Sequence, residues 1–203
     1  MKVSLQKGLP AGQRARAAAL YWQAFGGKLG TVMGPEARAL PFLERVMRAD
    51  HAIVALDETG LLLGMAGFKT RAGSFAGGTG ADIRAVYGRF GAAWRLPLLW
   101  MLGNEVDNDR FLLDGICVSR TARGIGIGSA LMAAICDEAQ ARGFAQVRLD
   151  VIDSNWRARA LYERLGFTVE KVQRIGWLRH VYGFGAVTTM VKTVIPARQA
   201  LAH

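Results

Sequence analysis

Two cysteines are all that this chain of 203 residues contains, and neither has a companion at metal-ligand spacing. Cys117 stands in an apolar strand-like run and Cys136 in a helical pattern. A thiolate metal centre and a disulfide framework are therefore excluded, no metal is called for, and both thiols are expected to be buried. Long hydrophobic runs are missing too. No stretch of about 18 apolar residues occurs, as a spanning helix would need, and no apolar segment of signal-peptide type follows Lys2. The reading is a cytoplasmic protein without a transmembrane segment. Acidic residues are scarce, 16 against 26 lysines and arginines, which leaves a net charge of +10. Such a balance suits a polyanionic ligand, a membrane surface or nucleic acid. The arginines are spread along the chain, however, with neither a lysine-rich tail nor an aromatic RNA-binding signature, so nucleic acid is not the expected partner.

What is present is a chain that is 51% hydrophobic and long enough to bury a real core. Residues 1–195 read as one domain and 196–203 as a flexible tail. Val3–Gln6 reads as a strand, Gln13–Phe25 and Pro35–Met47 as helices with Pro35 in a first turn. Ala52–Leu56 and Leu61–Lys69 read as a hairpin. The segment 72–108 differs in character. A glycine-rich lead from Gly73 to Gly80 precedes Ile83, Val86, Tyr87 and Phe90 at helical spacing, so it reads as a helical insertion. With Arg84, Arg89, Arg95 and its aromatics it could form a lid, a subunit contact in a homodimer, or an interfacial membrane helix. Phe111–Val118 resumes strand character. A helix to about Gly143 follows, with Ile127, Ala130, Leu131, Ala134 and Ile135 at core-facing intervals. Then come a strand at Val147–Ile152 and a helix capped by Asp153 or Ser154. That helix carries Trp156, Ala160, Leu161 and Leu165 as its apolar stripe and ends at Gly166. Phe167–Arg174 and Ala186–Val194 close the domain as an antiparallel pair around a loop with Trp177, His180, Tyr182 and Phe184.

The turn Arg123, Gly124, Ile125, Gly126, Ile127, Gly128, between a strand and a helix start, carries the chemistry. Converging backbone NH groups and the positive end of the helix dipole make an anion site, best matched by a pyrophosphate. Lysine is absent where a nucleotide-hydrolysing phosphate loop would require it. A dinucleotide fingerprint fits better, with Gly126 and Gly128 as its first glycines and Asp150 near the usual ribose-contact distance, but Leu131 occupies its third glycine position.

LDGICVSRTARGIGIGSALM followed by SNWRARALYERLGF resembles the GNAT superfamily of acetyltransferases, over roughly Arg110 to Val194. The first motif holds that family's pattern of Arg or Gln, any, any, Gly, any, Gly or Ala. The resemblance implies an α/β fold of the GNAT type, with a mixed, mostly antiparallel sheet of about six to seven strands flanked by helices. The helical insertion would fall between strands 3 and 4. It implies acetyl coenzyme A as co-substrate and a primary amine of a small molecule or peptide as acceptor, attacked directly in a ternary complex. Amides from Arg123 through Gly124, Ile125, Gly126, Ile127 and Gly128 to Ser129 would cradle the pyrophosphate. Ile116, Cys117 and Val118 would pair with the pantetheine arm, Val118 NH polarising the thioester carbonyl. Asn155 matches a position that contacts the arm, or serves as a helix cap. Tyr162 matches the tyrosine that protonates the departing thiolate. Asp114, four residues before Val118, is the first choice as base or as clamp on a cationic amine, with Glu105, Asp107, Asp109 and His180 in reserve. The alternative is a sensor or interaction module binding longer acyl coenzyme A thioesters, the chain lodged beside Trp94, Leu98 and Trp100.

Overall fold

Nearly every side chain from Ala52 to Phe68 outside the hairpin turn is buried, on both faces of the strands, which tells that this sheet is covered on two sides. The computed structural model describes residues 2–103, 109–176 and 179–194. In chain order the elements are β1 (Ser4–Lys7), α1 (Arg14–Met33), α2 (Glu36–Val46), β2 (Ala52–Leu56), β3 (Leu62–Thr70), β4 (Gly73–Ser74), α3 (Gly80–Gly103) and β5 (Phe111–Val118). There follow α4 (Ile127–Ala141), β6 (Gln146–Ile152), α5 (Trp156–Arg164), β7 (Thr168–Arg174), α6 (Arg179–Tyr182) and β8 (Ala186–Thr193). The sheet runs β1-β2-β3-β5-β6-β8-β7, with the two-residue β4 attached to β3. Every pairing is antiparallel except β5 with β6.

Period-two alternation sorts the side chains between two cores. Val54, Leu56, Leu62 and Met65 point to the α1–α2–α3 side, where Tyr21, Phe42, Phe75 and Ile83 join them. Ile53, Ala55, Leu63 and Ala66 point the other way, against Ile127, Leu131 and Ile135 of α4 and Tyr162 of α5. The expected hairpin and closing pair are present; the inserted segment opens with the short strand β4 before helix α3, and the expected loop between β7 and β8 holds the one-turn helix α6. Both cysteines are buried thiols.

Several local expectations are corrected. Helix α1 continues eight residues past Phe25, through three glycines that propensity alone would take as breakers. Packing sustains it: Val32 and Met33 at its end are buried. Pro35 is the N-cap of α2 and not part of its first turn. Asn155, rather than Asp153 or Ser154, caps α5, while Asp153 accepts a hydrogen bond from Gly185 NH at 3.1 Å. Trp156 is 65% exposed, so it leaves the apolar stripe of α5, and Tyr162 takes the buried position. Trp94 is 46% exposed, and Leu98 packs near Val32, Tyr182 and Phe184. The Trp100 side chain, Glu105, Asp107 and Trp177 lie outside the described residues.

Arg95 ties the insertion to the rest of the domain. Its buried guanidinium donates to Val32 O at 2.8 Å, Gly34 O at 3.2 Å and Gly91 O at 3.1 Å, and it lies over the Tyr87 and Trp94 rings. Tyr87 donates its hydroxyl proton to Met33 O. The Val32, Met33 and Gly34 carbonyls end α1, where the helix dipole is negative, so the cation is favoured there and cannot be replaced by an apolar group without leaving carbonyls unpaired. Arg95→Met is expected to cost about 2–4 kcal/mol. Thermal unfolding should show a midpoint lowered by roughly 5–10 °C. A midpoint within a degree of the wild type would remove Arg95 as the anchor.

Candidate active site

Strands β5 and β6 pair at only two positions, Phe111 with Val147 and Leu112 with Arg148. Beyond Leu112 the two strands part. β6 remains paired with β8 along its whole length, and β5 with β3, so the separation leaves one edge of β5 open from Leu113 to Val118. Ser119 NH donates to Leu63 O at 2.7 Å, across to β3. Because successive amides of a strand point to opposite edges, Val118 NH then faces the open seam. The Arg123 guanidinium donates to Val118 O at 3.3 Å from the same side.

At the end of this seam lies the glycine turn. Arg123, Gly124, Ile125 and Gly126 are all exposed, and Gly124 and Gly126 have φ of 84° and 89°. Those values favour glycine, and a Cβ at either position would meet nothing within 4 Å. The turn is thus shaped by backbone conformation and not by packing. Gly126 is the N-cap of α4, no side chain caps the helix, and its first backbone bond runs from Ala130 NH to Gly126 O. The amides of Ile127, Gly128 and Ser129 therefore begin the helix with no carbonyl four residues back within it. Such amides at a helix N-terminus suit an anion. Ile127 itself is buried and anchors the turn against the sheet. Asp150 instead accepts a hydrogen bond from Thr189 Oγ1 at 2.6 Å and Leu131 is wholly buried, which gives no support to a dinucleotide site.

Asp114 reaches the opposite face through a β-bulge. Gly67 pairs with Gly115 but Phe68 with Leu113, so Asp114 is an extra residue in β5. Leu113, Ile116 and Val118 pack on the α4 side, whereas Cys117 belongs to the α1 side. A Cβ at Gly115 would fall 2.8 Å from the Phe25 ring of α1, so a glycine is required for α1 to approach β5 here. Asp114 lines a cavity of about 1020 Å³ bounded by α1, α2, α3 and the β3–β4 hairpin. One carboxylate oxygen accepts from Ser74 Oγ at 2.6 Å and from Ala76 NH at 3.0 Å, and the other takes no hydrogen bond among the described residues. Tyr21 lines the same cavity. Burial, and after it the charge of Asp114, pushes its hydroxyl pKa well above the ordinary value.

Tyr162 is buried on α5 against Phe167, and its hydroxyl makes no hydrogen bond among the described residues. Burial pushes its pKa up to about 12. Asn155 Oδ1 accepts from Ala158 NH at 3.3 Å, so the capping role is fulfilled. Desolvation raises the Cys117 thiol to about 12 and the Cys136 thiol also upward, which leaves both as poor nucleophiles. His180 is exposed on α6 beside Arg179 and is not among the residues that line the cavity. Ser74 and Tyr21 were missed in the sequence. The glycine-rich lead from Gly73 to Gly80 was a signal for Ser74, and Tyr21 had none.

The family model described as Acetyltransferase (GNAT) family matches residues 15–167. A probable N-acetyltransferase, camello, from Xenopus tropicalis is 37% identical over 75 residues, which is 37% of this chain and only 34% of that protein's length. A solved N-acetyltransferase from Staphylococcus aureus Mu50 superposes with a TM-score of 0.63 over 93% of this chain and 100% of that one, at 15% identity. A phosphinothricin acetyltransferase from Sinorhizobium meliloti, solved with acetyl coenzyme A, gives 0.59 at 18% identity, covering 95% and 89% of the two chains. At those identities the two solved proteins share the fold.

Proposed function

The chain belongs to the acetyltransferase (GNAT) family, and on that premise we propose that it transfers the acetyl group of acetyl coenzyme A to a primary amine of a small molecule or peptide, in one ternary complex. The observation that carries this reading is the open seam between β5 and β6 ending at the glycine turn. An extended arm can add to the free edge of β5 there while its pyrophosphate meets the amides of Arg123 to Ser129. Bound coenzyme supplies an activated acetyl group as a thioester. Val118 NH is aimed to donate to the carbonyl oxygen as negative charge develops on it.

The amine nitrogen bonds to the carbonyl carbon as the carbon–sulfur bond breaks. Tyr162 gives its proton to the departing sulfur and regains one from solvent, while the nitrogen loses its proton to Asp114 or to water. Direct attack is favoured over a covalent acyl-enzyme, since both buried thiols are held protonated at neutral pH. Among the described residues no helix is long and apolar enough to cross a membrane.

Calorimetry with acetyl coenzyme A is expected to show one site with a dissociation constant below about 1 mM, and thiol release should depend on added amine. Binding without amine-dependent thiol release across a broad panel would favour the sensor reading. Failure to bind the coenzyme would end both.

A further inference from the structure

Resting on the proposed transferase reading, we infer that the acceptor is a singly charged primary amine carried on a large apolar body, aliphatic or aromatic, which lies in the cavity beneath α3. The cavity of about 1020 Å³ is at the upper end of small-molecule sites, far larger than a short polar amine would fill. Its walls are apolar: Met33, Phe42, Leu43, Ile83, Leu96 and Leu99 come from three different helices, α1, α2 and α3. One carboxylate, Asp114, is found among its described lining residues, with one oxygen fixed by Ser74 and Ala76 and the other available to an ammonium group.

The remaining charge points the same way. Among the described lining residues Arg71 is a cation, and the chain carries ten more positive than negative charges. A polyamine or a basic peptide would bring several cations to a site with one carboxylate among its described lining residues, and would find like charge at Arg71. An apolar body instead gains roughly 25 cal/mol for each Å² that it removes from water, while its single ammonium meets Asp114. The bulge in β5 makes this possible, because it turns Asp114 onto the cavity face. The insertion supplies the wall, through Ile83, Leu96 and Leu99.

The test compares phenylalkyl and n-alkyl monoamines of rising length with spermidine and a lysine-rich peptide, at saturating acetyl coenzyme A. Specificity, kcat/KM, is expected to rise about tenfold or more from ethylamine to the longer apolar amines, and to be lower for the polycations. Leu96→Gln and, as a second variant, Leu29→Phe, at another lining position on α1, should raise KM for the long amines about tenfold relative to that for ethylamine, with the coenzyme dissociation constant unchanged. Equal or better use of the polycations would overturn the inference and leave the transferase reading standing. If no amine is acetylated, calorimetry with 4-phenylbutylamine decides. Binding that Leu96→Gln weakens would uphold the cavity assignment while the transferase reading falls, and no binding would overturn both.

Discussion

Gly126→Val is expected to weaken acetyl coenzyme A binding on the order of a hundredfold or more while the protein stays folded. The residue has φ of 89° and caps α4, and a Cβ there meets no protein atom within 4 Å. The substitution therefore acts on backbone conformation alone. A β-branched residue resists positive φ by about 1–3 kcal/mol, so the thermal midpoint should fall by only a few degrees to about ten. Binding suffers far more. Once the turn reshapes, amides between Arg123 and Ser129 no longer converge, and each charge-assisted hydrogen bond lost is worth about 1.5–3 kcal/mol. Two such losses already exceed a hundredfold. Gly60→Val is the control, since Gly60 has φ of 81° in the β2–β3 hairpin and likewise open space around it. Calorimetry on both variants separates strain from ligand contact. Retention of affinity within threefold in Gly126→Val would show that this turn does not hold the pyrophosphate.

Tyr162→Phe should lower kcat about 10²- to 10³-fold, with the coenzyme dissociation constant unchanged within about twofold. The ring keeps its packing against Phe167, so the thermal midpoint should move little. The pH dependence sharpens the expectation. With its pKa pushed up to about 12, the hydroxyl is protonated throughout the neutral range and remains a usable acid. Wild-type turnover should rise with pH as the acceptor ammonium, ordinarily near 10.4, gives up its proton. No falling limb from Tyr162 is expected below about pH 11. The variant should keep the shape of that profile at a lower level. A kcat within threefold of the wild type would take Tyr162 out of the proton transfer and return it to core packing.

Much of the site was readable because it is local. A strand, a glycine turn and a helix start are properties of consecutive residues, so Phe111 to Ser129 could be interpreted without any tertiary contact. The span of β5 was legible to the residue, and β2 likewise, because short apolar runs between turns leave little choice of register. Helix ends were less legible. Asn155, Asp153 and Ser154 are all good caps, and only the docking of the loop, with Asp153 on Gly185, left Asn155 to do the capping.

By itself, then, the sequence determined the glycine turn, the order of the main elements and the family they build. Tertiary structure decided what lines the candidate site. Whether β5 stays beside β6 or parts from it after Leu112 depends on strands distant in the chain, and so does the one-residue bulge that sends Asp114 to the α1 side. Strict alternation along β5 would have put Asp114 on the same face as Ile116 and Val118. The register against β3 places it in a cavity walled by α1, α2 and α3 instead, because pairing with a partner strand, and not the strand's own pattern, selects where an extra residue is absorbed.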